Sequence, residues 1–368
     1  MRRIFFDATG IVSFTTGLGK YSYYLLNALL SECDYHFTVL HQLNLPEDHP
    51  LFYLNKKRLT FLSMQMPVIG PRREIAILKM RKAVKKYDLY HCTSSYLPAF
   101  GIKIPAIVTV HDLKYTLFPE FFNNRLKIMY YRWIISRGAK RARKIIAISA
   151  STKKDLIDLG IDEAKISVIH ESATIPMELA EAECMLPVAV RNRDYFFFVG
   201  DNRPHKNIPF MIKAYQILME ILGEKCPYFV FAGAHYNNYR FSNIEIKLKG
   251  KLIFLDIVSE KTLVCLYKNA IGLVYPSLYE GFGLPILEAM SLGTPVITSN
   301  CSSMPEVAGD AALQIDPHKI DQLVQSMLNL VQHRSERERL RKLGIGRARQ
   351  FSWAKTAHKT IQLYNEVL

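Results

Sequence analysis

The chain has 368 residues, 49% of them hydrophobic and 22% charged. That length fits two domains at roughly 150 residues each, and no run reaches the ~18 apolar residues a membrane-spanning helix needs. The net charge of +15 is uneven: residues 1–180 carry 26 basic and 15 acidic residues, and residues 181–368 carry 22 and 18, so anionic partners such as nucleotides, phosphates and lipid headgroups are favoured.

The N-terminal stretch MRRIFFDATG places two arginines ahead of apolar residues, as a signal peptide would. Asp7 then interrupts and no apolar segment follows, so the stretch reads as the first strand of a cytosolic protein. Six further strands follow in the first half, at 36–42, 58–64, 88–94, 106–112, 144–149 and 166–171. Helical patterns cover 18–31, 72–86, 123–142 and 150–159. Continuous apolar strands alternating with helices predict a parallel sheet covered on both faces.

Residues 172–194, with Pro176, Pro187 and several acids, break this pattern and read as a linker. Strands then resume at 195–200, 228–233, 251–256, 271–276 and 295–299, with helices over 207–222, 259–269, 285–292 and 317–350 and a terminal helix from Ser352. The expected fold class is α/β, with two Rossmann-like doubly wound domains facing a cleft: 1–180, 181–350, and a last helix in 351–368. Such sheets bind ligands at the carboxyl ends of their strands. The six cysteines contain no C-x-x-C pair, so reduced thiols are expected rather than disulfides or metal ligands.

The stretch YEGFGLPILEAM (279–290) sets Glu280 and Glu288 around seven uncharged residues. A strand ends at Pro276, and a loop with Gly281 and Gly283 follows. Pro285 suits a first helical turn, where its missing N–H loses nothing. Glu280 is therefore expected in the loop and Glu288 in the first turn, beside backbone N–H groups that form an anion site. A carboxylate there can accept two hydroxyl hydrogen bonds, as from a ribose diol, each worth roughly 1.5–3 kcal/mol. Spacing alone leaves open a plainer reading, in which Glu288 favours the helix dipole and Glu280 is a solvated acid.

The E-x7-E pattern, with GFGLPILEAM inside it and GTPVITSNCSSMPEVAGDAALQIDP after it, resembles the family 4 retaining glycosyltransferases of the GT-B fold. The similarity extends along nearly the whole chain, through TTGLGKYSYYLLNAL, AIVTVHDL, IIAISASTKKDLI, FFVGDNRPHKN and QFSWAKTA. The last of these resembles the segment that returns to the first domain.

The resemblance implies a hexosyltransferase that needs no metal or other cofactor and takes a GDP-, UDP- or dTDP-linked sugar as co-substrate. Glu288 would hold the donor ribose, and Glu280 would lie by the transferred sugar. The amides of Gly281, Phe282, Gly283 and Leu284 would meet the sugar hydroxyls and diphosphate. Lys206 would neutralise the departing diphosphate. The family places an arginine immediately before this lysine; here His205 stands there and Arg203 lies further upstream, so the second cation falls to one of them. His111, after a buried strand, would contact the donor, while its neighbour Asp112 fixes local structure. Gly17 and Gly19 would let the first-domain loop approach the diphosphate.

Rival enzyme classes lack their signatures. A dinucleotide fold needs a third glycine where Ser22 stands and an acid after the second strand. A P-loop needs Ser or Thr where Tyr21 follows Lys20. Asp155 and Asp158 are too far apart for a D-x-D metal motif. Of the basic segments, 72–87 sets Lys79, Lys82 and Lys86 on one helical stripe and Ile77, Met80 and Val84 on another, and RGAKRARK (137–144) adds five cations. Such faces suit either solvent or anionic lipid; no aromatic-basic interleaving points to nucleic acid.

The reading is a hexosyltransferase, mannose favoured, acting on a glycan or lipid-linked acceptor in bacterial surface-polysaccharide assembly. It would be cytoplasmic or peripheral on the cytoplasmic face of the inner membrane. The alternative is a non-catalytic scaffold of the same fold that binds a sugar nucleotide or a partner enzyme.

Overall fold

A computed structural model describes all residues except 12–15, 55, 122–123, 176–178, 180, 182, 234–247 and 249. The chain forms two compact units, Met1–Ser172 with Ser352–Leu368, and Ala173–Phe351.

The first unit is built on seven strands: β1 (Arg3–Asp7), β2 (His36–Gln42), β3 (Leu59–Met64), β4 (Leu89–Cys92), β5 (Ala106–Val110), β6 (Lys144–Ala147) and β7 (Ile166–Val168). All pairs are parallel, in the order β3-β2-β1-β4-β5-β6-β7. The central strands are buried along almost their whole length, which a sheet covered on both faces requires. Helices α1 (Gly17–Glu32), α2 (Pro71–Val84), α3 (Lys114–Leu117), α4 (Arg125–Arg141) and α5 (Ala150–Asp158) supply the cover. Thr16, Asn124 and Ser149 cap α1, α4 and α5 by accepting first-turn N–H groups, each cap worth about 1 kcal/mol. The strand order reverses between β1 and β4, so the crevice at the ends of these strands is where ligands of this architecture sit.

An ionic network is buried at the end of β1. Asp7 accepts from Arg73 Nη2 at 2.6 Å, from Thr9 Oγ1 at 2.6 Å and from the Tyr90 hydroxyl. Asp7 and Arg73 are 0% and 1% exposed. Arg73 belongs to the basic segment 72–87 but turns into the core, while Lys79 and Lys82 on the same helix stay exposed.

The second unit has six parallel strands, β8 (Tyr195–Val199), β9 (Tyr228–Ala232), β10 (Leu252–Leu255), β11 (Gly272–Tyr275), β12 (Val296–Ser299) and β13 (Leu313–Ile315), in the order β10-β9-β8-β11-β12-β13. Its helices are α6 (Ile208–Leu222), α7 (Glu260–Asn269), α8 (Leu284–Ser291), α9 (Met304–Ala308), α10 (Ile320–Gln332) and α11 (Arg334–Ala348). The reversal lies between β8 and β11. Gly344 lets α11 approach α8 closely: a Cβ there would stand 3.2 Å from Met290 Cγ.

Helix α12 (Trp353–Val367) completes the first unit. Trp353 stacks on Tyr24 at 5.5 Å, the Tyr364 hydroxyl meets His91 Nδ1 at 2.6 Å, and Thr356 donates to the His170 carbonyl at 2.7 Å.

Four sequence expectations need correction. The helix expected over 317–350 breaks at His333, whose extended backbone closes α10 and opens α11. Strand β13 and helix α9 were not foreseen, being three and five residues long. The chain enters the second unit at Ala173 rather than after 180, because Thr174 is built into that unit's site. Pro176, one of the linker prolines, lies outside the described residues. Finally, Cys184 and Cys265 form a disulfide, with Cα atoms 5.3 Å apart; the fold unites them across 81 residues, a distance no spacing rule covers. The remaining cysteines are free.

Candidate functional site

The ends of β8 and β11, the reversal point of the second sheet, carry the residues that sequence singled out. After β8, Gly200 turns the chain with φ of +154°, and a short 3-10 turn, Pro204–Lys206, presents Lys206. After β11, the chain passes through Glu280 and Gly283 into α8. The two arms meet side by side: the Leu278 N–H donates to the His205 carbonyl at 2.8 Å.

Lys206 Nζ lies 2.7 Å from Glu280 Oε1 and 2.5 Å from the Tyr275 hydroxyl. An ammonium has three N–H donors, and these bonds use two of them. Burial pushes the Glu280 carboxyl up, but the charges of Lys206 and His205 outweigh it and hold the group below its ordinary value. Burial and the neighbouring Glu280 carboxylate raise the Tyr275 phenol well above its ordinary range, so it stays protonated. The loop is fixed from behind. Ser302 and Ser303 donate to the Glu280 carbonyl at 2.6 and 2.9 Å, and Ser303 also donates to the Phe282 carbonyl at 2.8 Å.

Gly283 opens α8 with φ of +107°, a backbone that favours glycine. No side chain caps this helix. Pro285 has no N–H to offer and the Ile286 N–H turns back to the Gly283 carbonyl at 2.9 Å, so the terminus suits an anion through the Leu284 N–H and the helix dipole.

Glu288 sits one residue beyond the expected first turn, as the fifth residue of α8, and its carboxylate turns inward. It is buried, and each oxygen is held: Thr174 Oγ1 donates to Oε1 at 2.5 Å and Tyr267 Oη to Oε2 at 2.9 Å. These two bonds orient the carboxylate from inside the fold. Burial and the Glu288 charge raise the Tyr267 phenol well above its ordinary range, which keeps it a donor. Thr174, Tyr267 and Tyr275 escaped the sequence reading. Only Tyr275 left a trace, as a polar tip ending an apolar strand; Thr174 lies 114 residues from Glu288 with no motif around it.

The two candidates for the second cation differ. Arg203 is half exposed, with Nε 2.5 Å from Asp201. His205 is buried, and its charge acts on Glu280.

In the first unit, His111 follows β5. Its Nε2 faces the Thr93 carbonyl at 2.8 Å, its Nδ1 faces Glu171 Oε1 at 3.0 Å, and the Tyr21 ring packs edge-on at 4.6 Å. Both ring nitrogens thus meet protein acceptors, so the imidazole is anchored rather than open on its nitrogens. Asp112 accepts from Lys114 Nζ at 2.8 Å and from the Lys114 N–H, a local turn bond. Gly17 and Gly19 are the first and third residues of α1, with no positive φ, and the Gly19 N–H is capped by Thr16. What they offer is absence of bulk. Among the described residues, no group of three His, Cys, Asp or Glu side chains could hold a metal ion.

Comparison with known proteins adds names to this geometry. Residues 15–172 match the family described as Glycosyltransferase Family 4, and residues 188–347 match Glycosyl transferases group 1. The chain is 32% identical over 318 residues to O-antigen chain mannosyltransferase B of Escherichia coli, covering 83% of this chain and 82% of that protein. It is 32% identical over 215 residues to O-antigen chain mannosyltransferase RfbU of Salmonella typhimurium, covering 57% and 56%. Among solved structures, Anabaena HepE in complex with UDP and glucose aligns with a TM-score of 0.75 at 16% identity, covering 99% of each chain. At that identity the likeness speaks for the fold alone.

Proposed function

The chain belongs to family 4 of the GT-B glycosyltransferases, and on that premise we propose that it moves a mannosyl residue from a nucleotide-linked donor to a glycan acceptor in O-antigen polysaccharide assembly, with retention at the anomeric carbon. The observation that carries the reading is Lys206, held by Glu280 and Tyr275 with one N–H to spare, beside an uncapped helix terminus. A scaffold that binds only a partner enzyme would have no use for that spare donor, and slow donor hydrolysis separates a catalyst from a scaffold that binds the sugar nucleotide.

In this reading Glu288 accepts the donor ribose hydroxyls, and Glu280 with the amides of Gly281, Phe282, Gly283 and Leu284 faces the sugar and diphosphate. Lys206 takes the charge that develops on the leaving phosphate, the type of electrostatic stabilisation that contributes most in group transfer. Arg203 or His205 gives the second positive contact. His111, Gly17 and Gly19 act from the first unit. Glu280 is a poor nucleophile because Lys206 occupies it, so substitution proceeds on the donor's front face. The bond from the anomeric carbon to phosphate oxygen breaks, the acceptor oxygen bonds to the same face, and the acceptor hydroxyl proton passes to the departing phosphate. The acceptor is glycan or lipid-linked, presented at the cytoplasmic face of the inner membrane, to which the basic first unit is drawn. No helix among the described residues is long and apolar enough to cross a membrane.

The test is a binding and hydrolysis screen over GDP-, UDP- and dTDP-linked sugars. A mannose-linked nucleotide is expected to bind most tightly and to hydrolyse slowly without acceptor, and product NMR should show the donor's anomeric configuration. Full turnover in both Glu288→Ala and Lys206→Ala would overturn the site, and a trapped glycosyl-enzyme adduct would overturn the front-face step.

A further inference from the structure

Helix α4 exposes one continuous stripe at spacings of three and four residues: Leu126, Met129, Trp133, Arg137 and Lys140. Its first half is apolar, with Leu126 78% and Met129 66% exposed. Its second half is cationic, and the helix contains no acid. The 98–101 loop extends the apolar end, since Phe100 lies 6.4 Å from Trp133 and Arg137 stands 5.1 Å over the Phe100 ring. A recess of about 510 Å³ opens beside them, lined by Ala99, Trp133, Ser136, Arg137, Lys140 and Arg141. Arg141 holds its floor by donating to the Ala99 carbonyl at 2.9 Å. This end of α4 leads into the start of β6, whereas His111 follows the end of β5, so the face is separate from the strand-end residues assigned above.

We propose that this α4 face docks the protein on an anionic phospholipid bilayer, with Leu126, Met129, Trp133 and Phe100 entering the interface and a headgroup phosphate seated in the recess between Arg137 and Lys140. The proposal deepens the membrane reading above and rests on it. Charge complementarity selects an anionic occupant, and exposed aliphatic side chains gain only where an apolar phase is present. A nucleic acid would satisfy the cations and leave Leu126 and Met129 in water.

The chain has two tryptophans, Trp133 and Trp353, and Trp353 is packed on Tyr24, so emission reports insertion at α4. The full chain is mixed with vesicles of phosphatidylcholine alone or with 30% phosphatidylglycerol. Anionic vesicles should sediment the protein and shift its emission to the blue; neutral ones should do neither. Inorganic phosphate at equal ionic strength should not displace it. Arg137→Glu/Lys140→Glu should weaken binding at least tenfold, and Trp133→Phe should remove the blue shift. Lys342→Glu, on the second unit, should change nothing. Transfer to a water-soluble acceptor should be unaltered in these variants, so failure of the transferase reading and failure of docking give separate results. Equal binding to neutral vesicles, binding unaffected by Arg137→Glu/Lys140→Glu, tighter retention on single-stranded RNA than on vesicles, or loss of a dimer in those variants would each overturn the proposal.

Discussion

Tyr267 donates its hydroxyl hydrogen to Oε2 of Glu288 at 2.9 Å, while Thr174 holds the other oxygen at 2.5 Å. The carboxylate proposed to bind the ribose is thus oriented from inside the fold. Tyr267→Phe keeps the ring and removes the bond. Hydrogen bonds to a charged group are worth roughly 1.5–3 kcal/mol, so donor KM should rise about tenfold or more with kcat nearly constant. Thr174→Val should do the same and Thr174→Ser should restore it. Equal falls in kcat and kcat/KM would show that these residues act on the reacting centre instead.

Lys206 and Glu280 should act as a pair. Lys206→Ala removes the cation from the leaving group, and a loss of about 10²–10³ in kcat is expected. Tyr275→Phe removes one of the two anchors of the ammonium and should cost about tenfold. Because Glu280 is held below its ordinary value, the folded state keeps it charged as pH falls past 4.5. The pair is therefore intact above that value and is lost only as pH falls through the lowered one. The pH profile of kcat should show no acid limb from Glu280 between 5 and 7; a limb there that vanishes in Glu280→Gln would contradict the assignment.

The placement of Glu280 in a loop and Glu288 on the helix after it was legible because Gly281, Gly283 and Pro285 punctuate the chain there, which a local pattern records. The supports of the two carboxylates were not. Tyr267 and Thr174 reach Glu288 from 21 and 114 residues away, and the Cys184–Cys265 bond spans 81. Alternating apolar strands and helices gave both sheets because burial on both faces leaves continuous runs. The same logic misses β13, a three-residue strand with Gln314 exposed. Nor does it single out Arg73 within the basic segment 72–87, since charge alone does not show that Asp7 waits inside.

That ion pair sets a stability prediction. Removing one partner of a buried pair leaves an uncompensated charge, at about 3–5 kcal/mol. Arg73→Met and Asp7→Asn should each unfold the first unit at clearly lower urea, and the double variant should recover part of the loss. Both tryptophans lie in the first unit, so their emission follows it specifically. Additive effects in the double variant would mean that the two side chains do not act together.

His91 makes the same unit acid-sensitive. It is fully buried between the Tyr364 and Thr109 hydroxyls, and burial lowers its pKa from 6.5 to about 3. The unfolded chain therefore takes up a proton below pH 6.5 that the folded chain refuses until about pH 3. Stability from the neutral ring is complete above 6.5 and falls by about 1.4 kcal/mol per pH unit below it. Urea midpoints between pH 6.5 and 5, above the carboxylate range, should slope accordingly in the wild type and flatten in His91→Gln. An unchanged slope would assign the acid sensitivity elsewhere.

Gly233 ends β9 where it passes the turn after β8. Its φ is +145°, and a Cβ there would lie 1.9 Å from the Gly200 carbonyl oxygen. Gly200 begins the segment that carries Lys206, and its N–H donates to the Ala232 carbonyl at 3.0 Å. Gly233→Ala must therefore move backbone, since neither neighbour is a flexible side chain, and the displaced segment takes Lys206 away from Glu280 and Tyr275. Gly223, also at positive φ, has open space around its Cβ position and separates the two effects. Gly223→Ala should cost about 1–3 kcal/mol of stability through backbone strain alone and leave donor kinetics unchanged. Gly233→Ala should lose both stability and at least tenfold in kcat/KM for the donor. Matching kinetics in the two variants, measured on protein shown by circular dichroism to be folded, would mean that the 200–206 segment does not depend on this close approach.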